Sequence, residues 1–166
     1  MGVTTVHILT GEDGTSLHLP FRLLENDMNA FYKRSVDQIE ARRISPNDSN
    51  YFVLLFDEKD GETSCVAVVE IFTVGGRTPP NTHKGADELF FVLSGQGRAL
   101  CNGQATELRK GDALLVKPGS EHIVENTGDT KLYTLTVMVP DEKFGALIRR
   151  GTPVTLDDED RAVLCG

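Results

Sequence analysis

Cysteine is scarce in this chain. Cys65, Cys101 and Cys165 make an odd number with no short repeated spacing. That excludes a disulfide framework and a paired CxxC zinc knuckle, and free thiols suit a reducing compartment. Basic residues are outnumbered, 17 Lys and Arg against 25 Asp and Glu, for a formal net charge of −8. Surfaces that grip phosphate backbones carry the opposite sign, so nucleic acid is not an expected partner. No segment approaches the ~18 consecutive apolar residues of a membrane span. The opening "MGVTTVHILT" has no basic region followed by an apolar run of signal-peptide length. A myristoylation signal fails as well, because Val6 stands where Ser or Thr is needed. No membrane association is expected, and the expected location is the cytoplasm.

What remains is a soluble composition with many turns: 166 residues, 39% hydrophobic, 25% charged, with sixteen glycines. This length suits one domain with a proper core, and neither a Pro/Ser-rich linker nor an internal repeat divides it. From Tyr51 onwards, short β-rich runs alternate with turn signals. "YFVLLF" and "SCVAVVEIFTV" flank Asp60-Gly61, which predicts a hairpin. "LFFVL" ends at "SGQG", and "RALC" turns at Asn102-Gly103 into "QATELR". "ALLV", "HIVEN" and "KLYTLTVMV" complete the series. No helical pattern of 10–15 residues separates these strands, so an antiparallel barrel or sandwich is expected rather than a parallel sheet.

Two stretches read as short helices. In "DEKFGALIRRG", Phe144, Leu147 and Ile148 recur at helical spacing between acidic residues and Arg149-Arg150-Gly151. "LDDEDRAVL" is the second, with "DDED" read as a solvated helix start. Residues 1–50, with strand-like "VTTVHIL" and "SLHLPFRLL", form an N-terminal extension expected to pack on the barrel or on a neighbouring subunit. The expected organisation is a single domain over 1–166: extension 1–50, barrel 51–140, C-terminal helical segment 141–166.

Only four histidines occur, His7, His18, His83 and His122. The first two lack a partner motif and are read as structural. His83 and His122 sit beside Gly/Pro turns at strand starts, where side chains converge at a barrel mouth. Strand alternation puts Glu88 on one face with Phe90 and Val92. His83, Glu88 and His122 supply two imidazoles and a carboxylate, a set that suits a borderline divalent ion and leaves positions open for substrate or oxygen. Taken singly, each histidine reads as a turn-flanking polar residue, and Glu88 as an ion-pair partner of Lys84 or Arg109. Glu70 interrupts an apolar run, where an unpaired carboxylate is costly. It is read as an edge residue or as reaching inside toward Arg98, which makes Glu70 and Arg98 candidate pocket residues. Asp87 should face away from Glu88, toward solvent.

These segments resemble the cupin superfamily. Its first motif, G-x5-H-x-H-x3,4-E-x6-G, is matched by Gly75, Asn81, His83, Glu88 and Gly95, with Asn81 in place of the first histidine. Its second, G-x5-P-x-G-x2-H-x3-N, is matched by Gly111, Gly119, His122 and Asn126, with Lys117 in place of the proline and Pro118 one place later. Both motifs stand in order and in register over residues 75–126. The resemblance implies an all-β fold, an antiparallel double-stranded β-helix (a jelly-roll barrel) with the extension and short C-terminal helix added. It also implies a homodimer and one divalent metal ion, Fe, Mn, Ni or Zn, held by His83, Glu88, His122 and Asn81. Asn81 has three readings: a weak ligand through its amide oxygen, a position filled by water, or the mark of a site that has lost its metal. An amide oxygen is a hard, neutral donor and tilts preference toward oxygen-loving ions.

Cupins host many chemistries, so function is read from the site. The leading expectation is a metal-dependent, dioxygenase-like enzyme acting on a small organic molecule. A sugar or sugar-phosphate isomerase or epimerase and a non-catalytic small-ligand-binding protein are the alternatives.

Overall fold

The computed structural model describes residues 31–166. "VTTVHIL", "SLHLPFRLL", His7 and His18 lie outside the described residues. A 3-10 turn at Val36–Gln38 leads into β1 (Ala41–Arg43), β2 (Asn50–Phe56), α1 (Glu58–Gly61), β3 (Val66–Phe72), β4 (Asp87–Ser94), β5 (Gln96–Cys101) and β6 (Gln104–Arg109). β7 (Ala113–Val116), β8 (His122–Asn126), β9 (Leu132–Val139), α2 (Phe144–Arg149), β10 (Thr152–Val154) and α3 (Asp158–Cys165) follow. The strands form a seven-stranded sheet in the order β10-β1-β2-β3-β9-β4-β7 and a three-stranded sheet in the order β6-β5-β8. Every strand pairing is antiparallel. This is the expected all-β double-stranded β-helix, with its short C-terminal helix.

Alternation sorts the side chains. Glu88, Phe90 and Val92 of β4 are buried while Leu89 and Phe91 are exposed. Phe72, Phe90, Val92, Ala99, Leu108, Val116, Val124 and Leu132 join both sheets in one apolar cluster inside the barrel. A second interior cluster, with Phe52, Leu54, Val66, Val68, Ala86 and Met138, is closed by Ile148 of α2. The opposite face of β2 and β3 is covered by a third cluster containing Tyr51, Val53, Val69, Ile71, Tyr133 and Leu156.

The connection at Asp57–Gly61 differs from the tight hairpin predicted by Asp60-Gly61. It is one helical turn, because the Asp57 carboxylate accepts from the Lys59 and Asp60 amides and caps it. The seven-stranded sheet also gains β1 and β10, three residues each, which pair with one another beside β2. Among the described residues no helix is long and apolar enough to cross a membrane.

Candidate metal centre

The main chain brings the two motif loops together before any side chain is considered. Asn81 and His122 form an isolated antiparallel bridge, Asn81 N donating to His122 O at 3.1 Å and His122 N to Asn81 O at 3.0 Å. Directly opposed residues of such a pair project to the same face, so Asn81 stands beside His122. Gly119, with φ +78°, turns the second loop so that its amide donates to His83 O at 2.7 Å. A side chain resists that conformation, which is why glycine serves there. Asn126 locks the far end of β8, its Nδ2 donating to the carbonyls of Phe72, Thr73 and Thr130.

The side chains converge on one point. Glu88 Oε2 lies 3.0 Å from His83 Nε2 and 2.9 Å from His122 Nε2. Glu88 and His122 are buried and His83 is half-buried at the rim. Neither short contact has the angles of an N–H···O bond, and four buried atoms at the site are without a hydrogen-bond partner: Asn81 Oδ1, His83 Nε2, Glu88 Oε2 and His122 Nε2. His122 Nδ1 lies 3.1 Å from the Ser120 carbonyl, which can only accept, so Nδ1 carries the proton and Nε2 presents a lone pair in the neutral ring. A lone pair facing a carboxylate oxygen is unfavourable unless positive charge lies between them. Two other buried atoms, Arg43 Nε and Asn50 Oδ1, also lack a partner, but the four at the site belong to the residues aligned with the motifs and fit a shared cation. The donor atoms of His83, Glu88 and His122 all lie within 4.8 Å of one another.

The charges around Glu88 act in opposing directions. Burial alone would raise the Glu88 pKa, but the imidazoles of His122 and His83 more than offset it and hold the carboxyl below its ordinary value. The adjacent Glu88 carboxylate raises the His83 pKa, against the opposing effect of burial. Phe90 sets its ring edge-on to His122 with centroids 6.2 Å apart, forming an apolar wall behind the site. Among the described residues Glu88 pairs with neither Lys84 nor Arg109, and Asp87 pairs with Lys117 at the surface.

The two pocket candidates part company. Glu70 points inside, buried, where it accepts a hydrogen bond of 2.6 Å from Asn50 Nδ2. Arg98 alternates with the buried Gly97 and Ala99, so it faces outward, and its guanidinium pairs with Glu125 on the neighbouring strand. The expected reach of Glu70 toward Arg98 is therefore replaced by two separate pairings on opposite sides of the barrel wall. Sequence reading missed Asn50 and the buried hydroxyls of Thr134 and Thr136, 3.0 Å apart, because each lies on a strand brought alongside only by folding. A separate surface cavity of about 240 Å³, lined among others by Val36, Glu40, Pro153 and Arg161, contains none of the converging groups.

The chain is thus a two-sheeted antiparallel barrel in which ligand-type side chains converge between the sheets. Residues 68–138 match the cupin domain family. Over this stretch the chain is similar to the cupin superfamily. An uncharacterized protein of Methanocaldococcus jannaschii is 30% identical over 70 residues, which is 42% of this chain and 56% of that protein. The oxalate-binding protein of Thermotoga maritima is 35% identical over 57 residues, 34% of this chain and 47% of that one. The chain thus spans about half the length of these curated relatives. The crystal structure of a predicted oxalate decarboxylase from Thermotoga maritima covers 64% of this chain and 96% of its own, with a TM-score of 0.59 at 24% identity, a likeness of fold.

Proposed function

We propose that this cupin binds one divalent metal ion through His83, Glu88, His122 and the Asn81 amide oxygen, and uses it to capture a small organic acid. The observation that carries the reading is the charge of the donor set. Two neutral imidazoles, one neutral amide and one carboxylate leave a site of charge −1, so a divalent ion leaves it at +1 inside a chain of net charge −8. A local excess of positive charge in a low-dielectric barrel favours an anionic ligand. The similarity to an oxalate-binding protein supports the same class of ligand. Two oxygen donors, Glu88 and Asn81, favour an oxygen-loving ion, Mn(II) among the family's metals.

When bound, the ion supplies Lewis acidity and a docking point for ligand oxygens. The chain supplies the rest. The Ser120 carbonyl holds the His122 proton on Nδ1, which keeps Nε2 free to donate its lone pair. Phe90 packs edge-on against His122. Burial, opposed by the Asn50 hydrogen bond, pushes the Glu70 carboxyl up to about 8, with Glu88 adding to the rise. Glu70 is thus a neutral acid at neutral pH and adds no negative charge to repel an anion.

Calorimetric titration of Mn(II)-loaded protein with oxalate tests this. Binding that requires the metal, and that weakens in Asn81→Ala and disappears in His122→Ala, is the expected result. Metal-loaded protein that ignores oxalate and other small carboxylates would remove the ligand assignment. A second reading, dioxygenase-like turnover, is favoured by the two-histidine, one-carboxylate core of the site. Oxygen uptake by Fe(II)-loaded protein in the presence of a bound acid is its expected sign, and unchanged oxygen with unchanged acid sinks it.

A further inference from the structure

The two histidines of the site are held in different ways. His122 is buried within a β-bridge and its ring is fixed by the Ser120 carbonyl. His83 lies in a loop at the rim, with its ring partly exposed. Its orientation needs a support that neither family motif provides.

The support comes from the segment between β9 and α2. Glu142 Oε1 accepts a hydrogen bond of 2.6 Å from the Gly85 amide, two residues beyond His83, and Oε2 lies 3.8 Å from His83 Nδ1. One carboxylate therefore spans the loop, holding its backbone with one oxygen and facing the imidazole with the other. The contact to Nδ1 is too long for a direct hydrogen bond but close enough for the negative charge to favour a proton there.

The backbone is committed to this placement. Glu142 and Lys143 have φ of +45° and +67°, the left-handed region that residues other than glycine adopt infrequently. Such conformations persist where the surroundings over-determine them, and they recur at functional sites. Here the surroundings are the Asp141 amide, which donates to Ser64 O, and the Asp141 carbonyl and carboxylate, which accept from the Phe144 and Gly145 amides. Asp141 is buried, so the turn is anchored at both sides and swings Glu142 over the loop that carries His83.

We propose that Glu142 is a positioning residue of the metal centre, stapling the His83 loop through Gly85 and favouring the ring proton on Nδ1, so that Nε2 is free to ligate an ion lying between it and Glu88. The inference rests on the metal reading above. It gives His83 what the Ser120 carbonyl gives His122: a partner behind the ring that selects the tautomer able to ligate. Partners of this kind characteristically change metal affinity about 10- to 100-fold when removed.

Glu142→Gln separates the carboxylate's charge from its role as a loop staple, because the amide oxygen still accepts from Gly85. Co(II) affinity is measured by chelator competition, alongside the melting temperature of the metal-free protein and the ring 15N shifts of His83 in that form. We expect Glu142→Gln to bind Co(II) about 10-fold more weakly or worse, with an unchanged metal-free melting temperature and His83 shifts moved toward protonation at Nε2, the atom 3.0 Å from Glu88. Glu142→Asp, which restores the charge, should recover part of the affinity and of the shift pattern. Wild-type affinity together with wild-type His83 shifts in Glu142→Gln would reduce Glu142 to a loop staple and overturn the proposal. Wild-type protein that binds no Co(II) would instead overturn the metal reading, while the His83 shifts in the metal-free variants would still decide the role of Glu142.

Discussion

A carboxyl group sealed inside a barrel either sheds its charge or finds a partner. Glu70 is 3% exposed and its partner is the neutral Asn50, so it keeps its proton well past the usual range, with a pKa of about 8. The consequence for stability follows by linkage. Below the ordinary value of 4.5, Glu70 is protonated whether the chain is folded or not. Between 4.5 and about 8 the unfolded chain gives up this proton while the folded one retains it, so stability falls as pH rises. The slope approaches about 1.4 kcal/mol per pH unit. Glu70→Gln removes this contribution. Thermal melts of metal-free protein should show the variant gaining on the wild type steadily from pH 5 to pH 8, whereas parallel curves would show that Glu70 ionises normally.

At the scale of elements, the C-terminal helix is fastened by a charge that sequence reading placed in solvent. In "DDED", Asp158 and Glu159 are exposed as expected, but Asp160 is 1% exposed and accepts from the hydroxyls of Tyr51 and Tyr133 and from Lys131 Nζ, each at 2.9 Å. It also completes a capping box with Asp157. Burial and the hydrogen bonds to Asp160 push both tyrosines well above their ordinary pKa. Asp160→Asn puts a donor in place of Oδ2, which accepts from Tyr51 and the Asp157 amide, and weakens the pairing with Lys131, which costs about 2–4 kcal/mol. At roughly 2–4 °C per kcal/mol for a chain of this size, the melting temperature should drop by several degrees. Glu159→Gln, on the exposed side of the same turn, should change it little. Equal effects from the two substitutions would contradict the anchoring role. α2 is held in a comparable way, by the bidentate pairing of Arg149 with Asp57 at 2.7 and 2.8 Å.

For the molecule as a whole, the cation proposed for the site would be held by residues from β4, β8 and the loop before β4, and would tie the two sheets together in the folded state alone. Binding of this kind stabilises by mass action, by about 2.7 kcal/mol at a hundredfold excess over Kd. Adding Mn(II) should therefore raise the melting temperature, EDTA should reverse the rise, and His122→Ala should abolish it. A melting temperature indifferent to Mn(II) and to chelator would count against the site. Much of this architecture was legible in the chain. Turn residues and two-residue alternation are local properties, so β2 to β9 and the inward set Glu88, Phe90 and Val92 followed from them, and the spacing of His83, Glu88 and His122 picked out three side chains that converge. Three features were decided by tertiary structure alone: the sharing of the Glu70 carboxyl with Asn50 instead of Arg98, the burial of Asp160 between two tyrosines, and the placement of Glu142 against the His83 loop. Each depends on which strands lie side by side and in what register, and the pairing partners are contributed by segments far apart in the chain. Local pattern determines which face a side chain takes, but only the folded register determines what it meets there.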